Sequence, residues 1–261
     1  MQRSHRGGLG GAPAGMPISI ASLSTSCADC SMQELCLPAV ITDQDLDRLE
    51  NILSKRIRIA RGEPLYRAGE VFSSLFAVRL GHFKTVYSEG HATKQIIGFQ
   101  MSGEILGMEG ISRPRHKCSA IALEDSEVCE IPYTRLESLL SELPSLQSHF
   151  HRMMSREITR EQNVMLLLGN MRAEQRFAAF LVNLAARYAA RGYSSTQFQL
   201  RMSREEIGNY LGLTIESISR LLSRLKKQGL IRVANREIEL LQPERLRAIA
   251  AGTEPGDPGS F

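Results

Sequence analysis

Three cysteines stand close together near the start of the chain, in Cys27-Ala28-Asp29-Cys30-Ser31-Met32-Gln33-Glu34-Leu35-Cys36. Thiolates at such short separations can wrap one metal centre. Neither a histidine nor a second Cys-x2-Cys follows, so the usual structural zinc arrangement fits poorly. Four thiolates on an iron–sulfur cluster remain open, and the fourth must then be distant, either Cys118 or Cys129. Spacing alone does not choose between them. The chain has five cysteines among 261 residues, an odd count in a large protein, which argues against a disulfide framework.

A second constellation lies between Leu200 and Lys227. Ser203 is a good N-cap, and Glu206 completes a capping box. Ile207, Tyr210 and Leu211 make an apolar face, Gly212 breaks the helix, and Thr214 caps another. That second helix is expected to bury Ile215, Ile218, Leu221, Leu222 and Leu225. Its opposite face carries Glu216, Ser217, Ser219, Arg220, Arg224 and Lys227. Two short helices joined at a glycine turn form a helix-turn-helix. Arg220 can give a two-pronged hydrogen bond to guanine, Glu216 can accept from a cytosine amino group, and Ser219 can bond a base edge or a phosphate. Arg201, Arg204, Arg224, Lys226 and Lys227 suit phosphates, which fix register without reading sequence. The rival reading is a solvated helix face, but a purely electrostatic DNA binder would not set Glu216 beside phosphates. After Gly229, Leu230–Val233 and Arg236–Leu240 read as a hairpin, the wing of a winged helix. Residues 171–261 hold 14 Lys/Arg against 9 Asp/Glu, whereas residues 1–170 hold 18 against 19. A basic C-terminal third suggests a polyanion partner.

Other elements must position these groups. From Ile57 to Pro132, short apolar stretches such as Leu75–Leu80, Phe83–Tyr87 and Lys94–Phe99 alternate with glycine turns, which argues for a small antiparallel β-roll. After Pro144 the pattern becomes helical. Met154, Ile158, Met165 and Leu168 fit the seam of a coiled coil around Glu161. Such a helix would pair with its twin in a homodimer, or its stripe would pack on the β-roll. Two copies of Glu161 would then face each other across the two-fold axis, which is costly for like charges taken from water. Ile158, one turn earlier, is the expected packing contact.

The 43% hydrophobic content excludes a wholly disordered chain, and no apolar run approaches the ~20 residues needed to span a bilayer. With no apolar secretory core at the N-terminus, a cytoplasmic protein is expected. Six histidines form no ligand-spaced pair and read as surface residues. The sequence holds no Cys-x3-Cys-x2-Cys run, no Gly-x-Gly-x2-Gly after a strand and no Walker loop, so an enzyme is not expected.

The pieces together resemble the fumarate-and-nitrate-reduction regulator (FNR) branch of the CRP/FNR transcription-factor family. The matching text is Cys27-x2-Cys30-x5-Cys36, Val128-Cys129-Glu130-Ile131-Pro132, Ile207-Gly208-Asn209-Tyr210-Leu211-Gly212-Leu213-Thr214 and Glu216-Ser217-Ile218-Ser219-Arg220-Leu221-Leu222. The resemblance implies an α+β architecture of an N-terminal antiparallel β-roll (cupin-like, of the cyclic-nucleotide-binding-domain type), a long dimerisation helix and a C-terminal winged helix-turn-helix. The expected divisions are a flexible arm at 1–24, a cysteine arm plus sensory β-roll at 25–140, a dimerisation helix at 141–170, a DNA-binding domain at 171–250 and a flexible tail at 251–261. It implies that Cys27, Cys30, Cys36 and Cys129 ligate an oxygen-labile [4Fe-4S] cluster, with Cys118 a small core residue. Glu216, Ser219 and Arg220 match base-reading positions, and the acidic residue at Glu161 matches a dimer switch. The implied partners are double-stranded DNA carrying an inverted repeat resembling TTGAT-N4-ATCAA, a second copy of the chain, and RNA polymerase. The polymerase contacts are expected on loops around Ser88–Thr93 and Arg113–Lys117. A cyclic-nucleotide-responsive regulator is the first rival, because Gly103-Glu104-Ile105-Leu106-Gly107 resembles the start of a phosphate-binding cassette. That cassette normally ends Arg-Ser/Thr-Ala, and here Cys118-Ser119-Ala120 lacks the arginine. A thiol or zinc sensor built on the same cysteines, and an iron–sulfur enzyme, are the others.

Overall fold

The computed structural model describes residues 42–53, 55–88 and 94–253. The strand-like text folds into two facing antiparallel sheets. β1 (Lys55–Ile59), β8 (Ser126–Pro132), β3 (Ser74–Leu80) and β6 (Ile105–Leu106) form one, in the order β1-β8-β3-β6. β2 (Pro64–Tyr66), β7 (Cys118–Ala122), β4 (His82–Tyr87) and β5 (Gln95–Met101) form the other, in the order β2-β7-β4-β5. Alternation at period two decides what goes inside: Cys118, Ala120 and Ala122 of β7 meet Val78, Phe83, Leu106 and Val128 between the sheets. Gly81 turns β3 into β4 at φ 91°, and a Cβ there would lie 2.1 Å from Ser126 Oγ. Both the left-handed backbone and the close approach therefore require glycine.

Three helices cover the outer face of the first sheet. α1 (Asp43–Ile52) precedes the roll, while α2 (Tyr133–Glu142) and α3 (Pro144–Asn170) follow it. Leu46 and Leu49 of α1 pack with Leu139 of α2 and Leu146 of α3. α1 was not apparent in the sequence. α3 opens with Pro144 in its first turn, where a missing N–H costs nothing, and its 27 residues run about 40 Å.

The remaining residues form α4 (Ala173–Ala189), β9 (Gln197–Gln199), α5 (Arg204–Leu211), α6 (Ile215–Lys227), β10 (Ile231–Ala234), β11 (Glu237–Leu240) and α7 (Pro243–Ala251). The expected wing is the β10–β11 hairpin, and β9 adds a third strand on β11. α7 takes in Ala251, the first residue of the expected tail, and Gly252 caps it. One apolar core joins the roll to the C-terminal elements. Val86, Ile96, Phe99, Met101 and Leu123 of the roll pack in the cluster that holds Phe177, Phe180, Leu211, Ile218 and Leu225. Residues 1–41 and 254–261, which include the expected arm and most of the tail, lie outside the described residues.

Candidate DNA interface and cysteine site

The helix-turn-helix is built by its caps. Ser203 accepts from the Glu206 backbone N–H, and Glu206 reaches back to the Ser203 N–H at 2.6 Å. Gly212 ends α5 at φ 63°, and Thr214 accepts from Ser217 N–H to start α6. Gly208 allows the two helices to close, because a Cβ there would meet Leu213 O at 2.6 Å. Ile218, Leu221, Leu222 and Leu225 are buried, as the spacing predicts. Ile215 is not: it is 45% exposed, because it occupies the first helical position, clear of the core.

The residues expected to read bases share the opposite face. Glu216 and Arg220 are exposed, and Ser217 and Ser219 are half-buried. Arg220 Nη2 donates to Ser217 Oγ at 3.3 Å, and Arg204 Nη1 donates to Ser219 Oγ at 3.3 Å. Hydrogen bonding at the helix start, to its own backbone N–H and to Thr214, holds the Glu216 carboxyl below its ordinary range. It thus remains an acceptor at neutral pH. Arg224 pairs with Glu174 at 3.3 Å, leaving Lys226 and Lys227 exposed in the last turn. Arg201, expected at a phosphate, is instead ion-paired to Glu124 of the roll at 2.9 Å. Asn235 turns the wing at φ 55°, a conformation asparagine tolerates.

α3 divides along its length. Phe150, Met153 and Met154 pack on the roll with Leu75 and Ile131. Beyond them Ile158, Met165 and Leu166 are 52%, 72% and 58% exposed, and Glu161 is exposed among them. The stripe therefore packs on the roll at one end and leaves an apolar face in water at the other. Glu161 also borders a cavity of about 70 Å³ lined by Tyr66, Glu109, Cys118, Glu157 and Arg160. Cys118 lies inside the roll, where burial, then the Glu109 carboxylate, pushes its thiol far above the ordinary range. Tyr66, also buried beside it, is raised for the same reasons. The expectation of surface histidines fails for His82, His116 and His149, which are buried. His82 bonds Glu124 at 2.6 Å and His116 bonds Glu109 at 2.9 Å, so each has the partner that a buried imidazole requires.

Cys129 occupies the opposite face of the same sheet from the roll core. Its neighbour Val128 points inward and is fully buried, whereas Cys129 is half-buried, across from Arg56 on β1 and Ala77 on β3. Ile131, two residues on and on the same face, joins the cluster containing Phe150, Met153 and Met154 of α3. Cys27, Cys30 and Cys36 lie outside the described residues. Thr42, where the description begins, is six residues after Cys36, a reach of about 20 Å at full extension. The following helix ends in Ile52 and Leu53, which pack in the same cluster as Ile131. Cys129 forms no disulfide, and Lys55–Glu130, Arg58–Glu127 and Arg79–Glu127 ion pairs surround its strand. A half-buried thiol on the outer face, opposite Arg56, is the kind of group that could ligate a cluster that four thiolates leave net negative. Among the described residues, no three metal-binding side chains come together, so a metal centre here depends on the arm cysteines. Residues 89–93 of the loop expected to meet RNA polymerase also lie outside the description; Arg113–Lys117 is described, with Arg115 Nη1 donating to Gly69 O at 2.7 Å.

Comparison with known proteins places this architecture. The Crp-like helix-turn-helix domain matches residues 175–249, and the cyclic nucleotide-binding domain matches residues 56–142. The chain is 46% identical to the transcriptional regulatory protein btr of Bordetella pertussis, over 85% of this chain and 92% of that one. It is 45% identical to the transcriptional activator protein anr of Pseudomonas aeruginosa, over 88% and 94%. It is 41% identical to the fumarate and nitrate reduction regulatory protein of Salmonella typhimurium, over 87% and 91%. Among solved structures, FixK2 from Bradyrhizobium japonicum aligns with a TM-score of 0.69 at 29% identity, covering 75% of this chain and 96% of that one. No helix among the described residues is long and apolar enough to cross a membrane. With relatives named as transcriptional regulators along nearly their whole length, the chain is a DNA-binding regulator rather than an enzyme, and it belongs to the FNR branch of the CRP/FNR family of transcription factors.

Proposed function

We propose that the protein is a cytoplasmic, oxygen-responsive transcription regulator whose [4Fe-4S] cluster is held by Cys27, Cys30, Cys36 and Cys129. The observation that carries this reading is the placement of the two remaining candidates for a fourth ligand. Cys118 is sealed in the roll as a thiol, while Cys129 stands on the face that α1 reaches and that continues into the packing of α3. When bound, the cluster supplies reactivity toward oxygen. The chain's own part is to tie residues 27–36 to β8, and so to hold α1 and the outer sheet face firmly against the dimerisation helix.

The partner surface is the exposed stretch around Ile158, Met165 and Leu166, which a second copy would cover. Glu161 within it opposes pairing, so the dimer is marginal, and a tenfold change in its equilibrium needs only ~1.4 kcal/mol. Pairing sets two copies of α6 about one DNA turn apart on an inverted repeat resembling TTGAT-N4-ATCAA. Glu216, Ser217, Ser219 and Arg220 read base edges there, with Arg224 at the backbone. Contact with RNA polymerase completes the activator reading.

The match to a cyclic nucleotide-binding domain favours a second reading, against which the cavity speaks. Glu109, Glu157 and Glu161 outnumber Arg160 around it, and its roughly 70 Å³ is far below the ~300 Å³ of a small-molecule site. Iron and sulfide analysis of protein purified without oxygen tests the proposal. Wild type and Cys118→Ser should each hold about four irons and four sulfides per chain, and Cys129→Ser far less. Full loading of Cys129→Ser would remove Cys129 from the ligand set.

A further inference from the structure

Glu104 opens the stretch that resembles a phosphate-binding cassette, yet its carboxylate is occupied by the protein itself. Arg187 of α4 grips both oxygens, Nε to Oε1 at 3.1 Å and Nη2 to Oε2 at 2.6 Å. Arg191, one turn later, donates Nη2 to Oε1 at 2.7 Å. Arg160 of α3 donates Nη1 to Oε2 at 3.3 Å, and Met101 N–H donates to Oε2 at 3.1 Å. Two of the guanidiniums also hold carbonyls beside Glu104: Arg187 donates to Phe99 O at 2.6 Å, and Arg191 to Ser102 O. Side-chain exposures are 17% for Glu104 and 19%, 16% and 6% for Arg160, Arg187 and Arg191, so water screens this cluster little.

Three functional parts of the chain thus share one carboxylate: the roll that carries it, the dimerisation helix through Arg160, and the DNA-binding unit through Arg187 and Arg191. Without it, three largely buried guanidiniums would face one another with Glu157, paired to Arg160, as the nearest remaining counter-charge among the described residues. The recognition face of α6 is left open by this clasp, so the contact does not block DNA.

We propose that Glu104 is a positioning residue for DNA binding: it fixes the angle at which the helix-turn-helix is carried on the dimerisation helix, and thereby the spacing of the two recognition helices in the dimer. This rests on the reading of the protein as a dimer on an inverted repeat. Glu104 touches no DNA, so its effect is on geometry shared between half-sites and not on contacts within one.

Fluorescence anisotropy with protein purified without oxygen tests this. Three duplexes are compared: the TTGAT-N4-ATCAA repeat, the same repeat with its spacer lengthened by one base pair, and a non-specific sequence. Wild type, Glu104→Gln and Arg187→Lys are measured, the last keeping the charge but losing the two-pronged grip. Circular dichroism and sedimentation show whether each variant is a folded dimer, and Arg187→Lys decides if Glu104→Gln does not fold. Affinity for the repeat should fall about tenfold as simultaneous engagement of both half-sites weakens. The preference for the native spacer should shrink toward unity, with non-specific binding unchanged. Folded dimeric variants that keep the wild-type spacer preference, or bind the repeat more tightly, overturn the positioning role alone. Wild type that prefers the repeat to neither other duplex overturns the inverted-repeat reading, and the positioning role with it.

Discussion

At the level of single residues, the proposed switch is one carboxylate on an apolar surface. Glu161 lies exposed one turn from Ile158, on the stretch of α3 that the roll leaves uncovered. Pairing two such helices brings like charges together, and removing the charge relieves that cost. Glu161→Ala should therefore be a dimer in air, on size-exclusion chromatography of the exposed protein, where wild type should be a monomer; a monomeric variant would count against the seam. Base reading is tested in the same spirit. Arg220→Ala should lose about 1–3 kcal/mol of discrimination at a single base pair, whereas Lys227→Ala should weaken binding to all sequences alike and flatten its salt dependence. Competition binding against single-base-pair variants of the repeat separates the two.

At the level of elements, local signals were legible where they are complete in themselves. Ser203 with Glu206, Gly212 and Thr214 state the ends of α5 and α6 within a few residues, and the structure places each cap there. The alternation of Leu75–Leu80 and Phe83–Tyr87 likewise gives β3 and β4 within a residue. What escaped was set by distant partners. α1 has little but Leu46, Leu49 and Ile52 to mark it, and its helicity rests on packing against α2 and α3. β9 is three residues long and exists because β11 offers an edge. The ion pair of Arg201 with Glu124 is not legible in the sequence because Glu124 lies far away in the chain. Buried His82 and His116 are invisible for the same reason. The turn itself is sensitive to a single methyl group. Gly208→Ala should push Leu213 O away and rotate α6 on α5, abolishing repeat binding while circular dichroism shows the helices retained. Thr214→Ala should cost only about 1 kcal/mol of thermal stability, the usual worth of an N-cap.

At the level of the whole molecule, the roll and the DNA-binding unit share one apolar core, and Glu104 ties both to α3 through Arg160, Arg187 and Arg191. Burial opposes the charge on Glu104, but the neighbouring arginines, Arg187 foremost, overcome it and lower its pKa to about 2. Its pKa is depressed on folding, so the stability it contributes is complete above the ordinary value of 4.5 and is lost as pH falls from there toward 2. The difference in melting temperature between wild type and Glu104→Gln should be flat from pH 7 to 5 and shrink below 4.5. Burial raises Glu157 in the opposite sense, and because Glu157 shares Arg160 with Glu104, the difference between the two proteins reads the coupled pair.

The proposed coupling between a cluster and the dimer is most directly measured by titrating oxygen into protein prepared without it. Cluster absorbance, molecular mass and binding to the TTGAT-N4-ATCAA repeat are followed in the same sample. Loss of colour should proceed in step with the passage from dimer to monomer and with release of the repeat. A protein that stays dimeric and bound after its chromophore has bleached, or that binds as a colourless dimer from the start, contradicts the account.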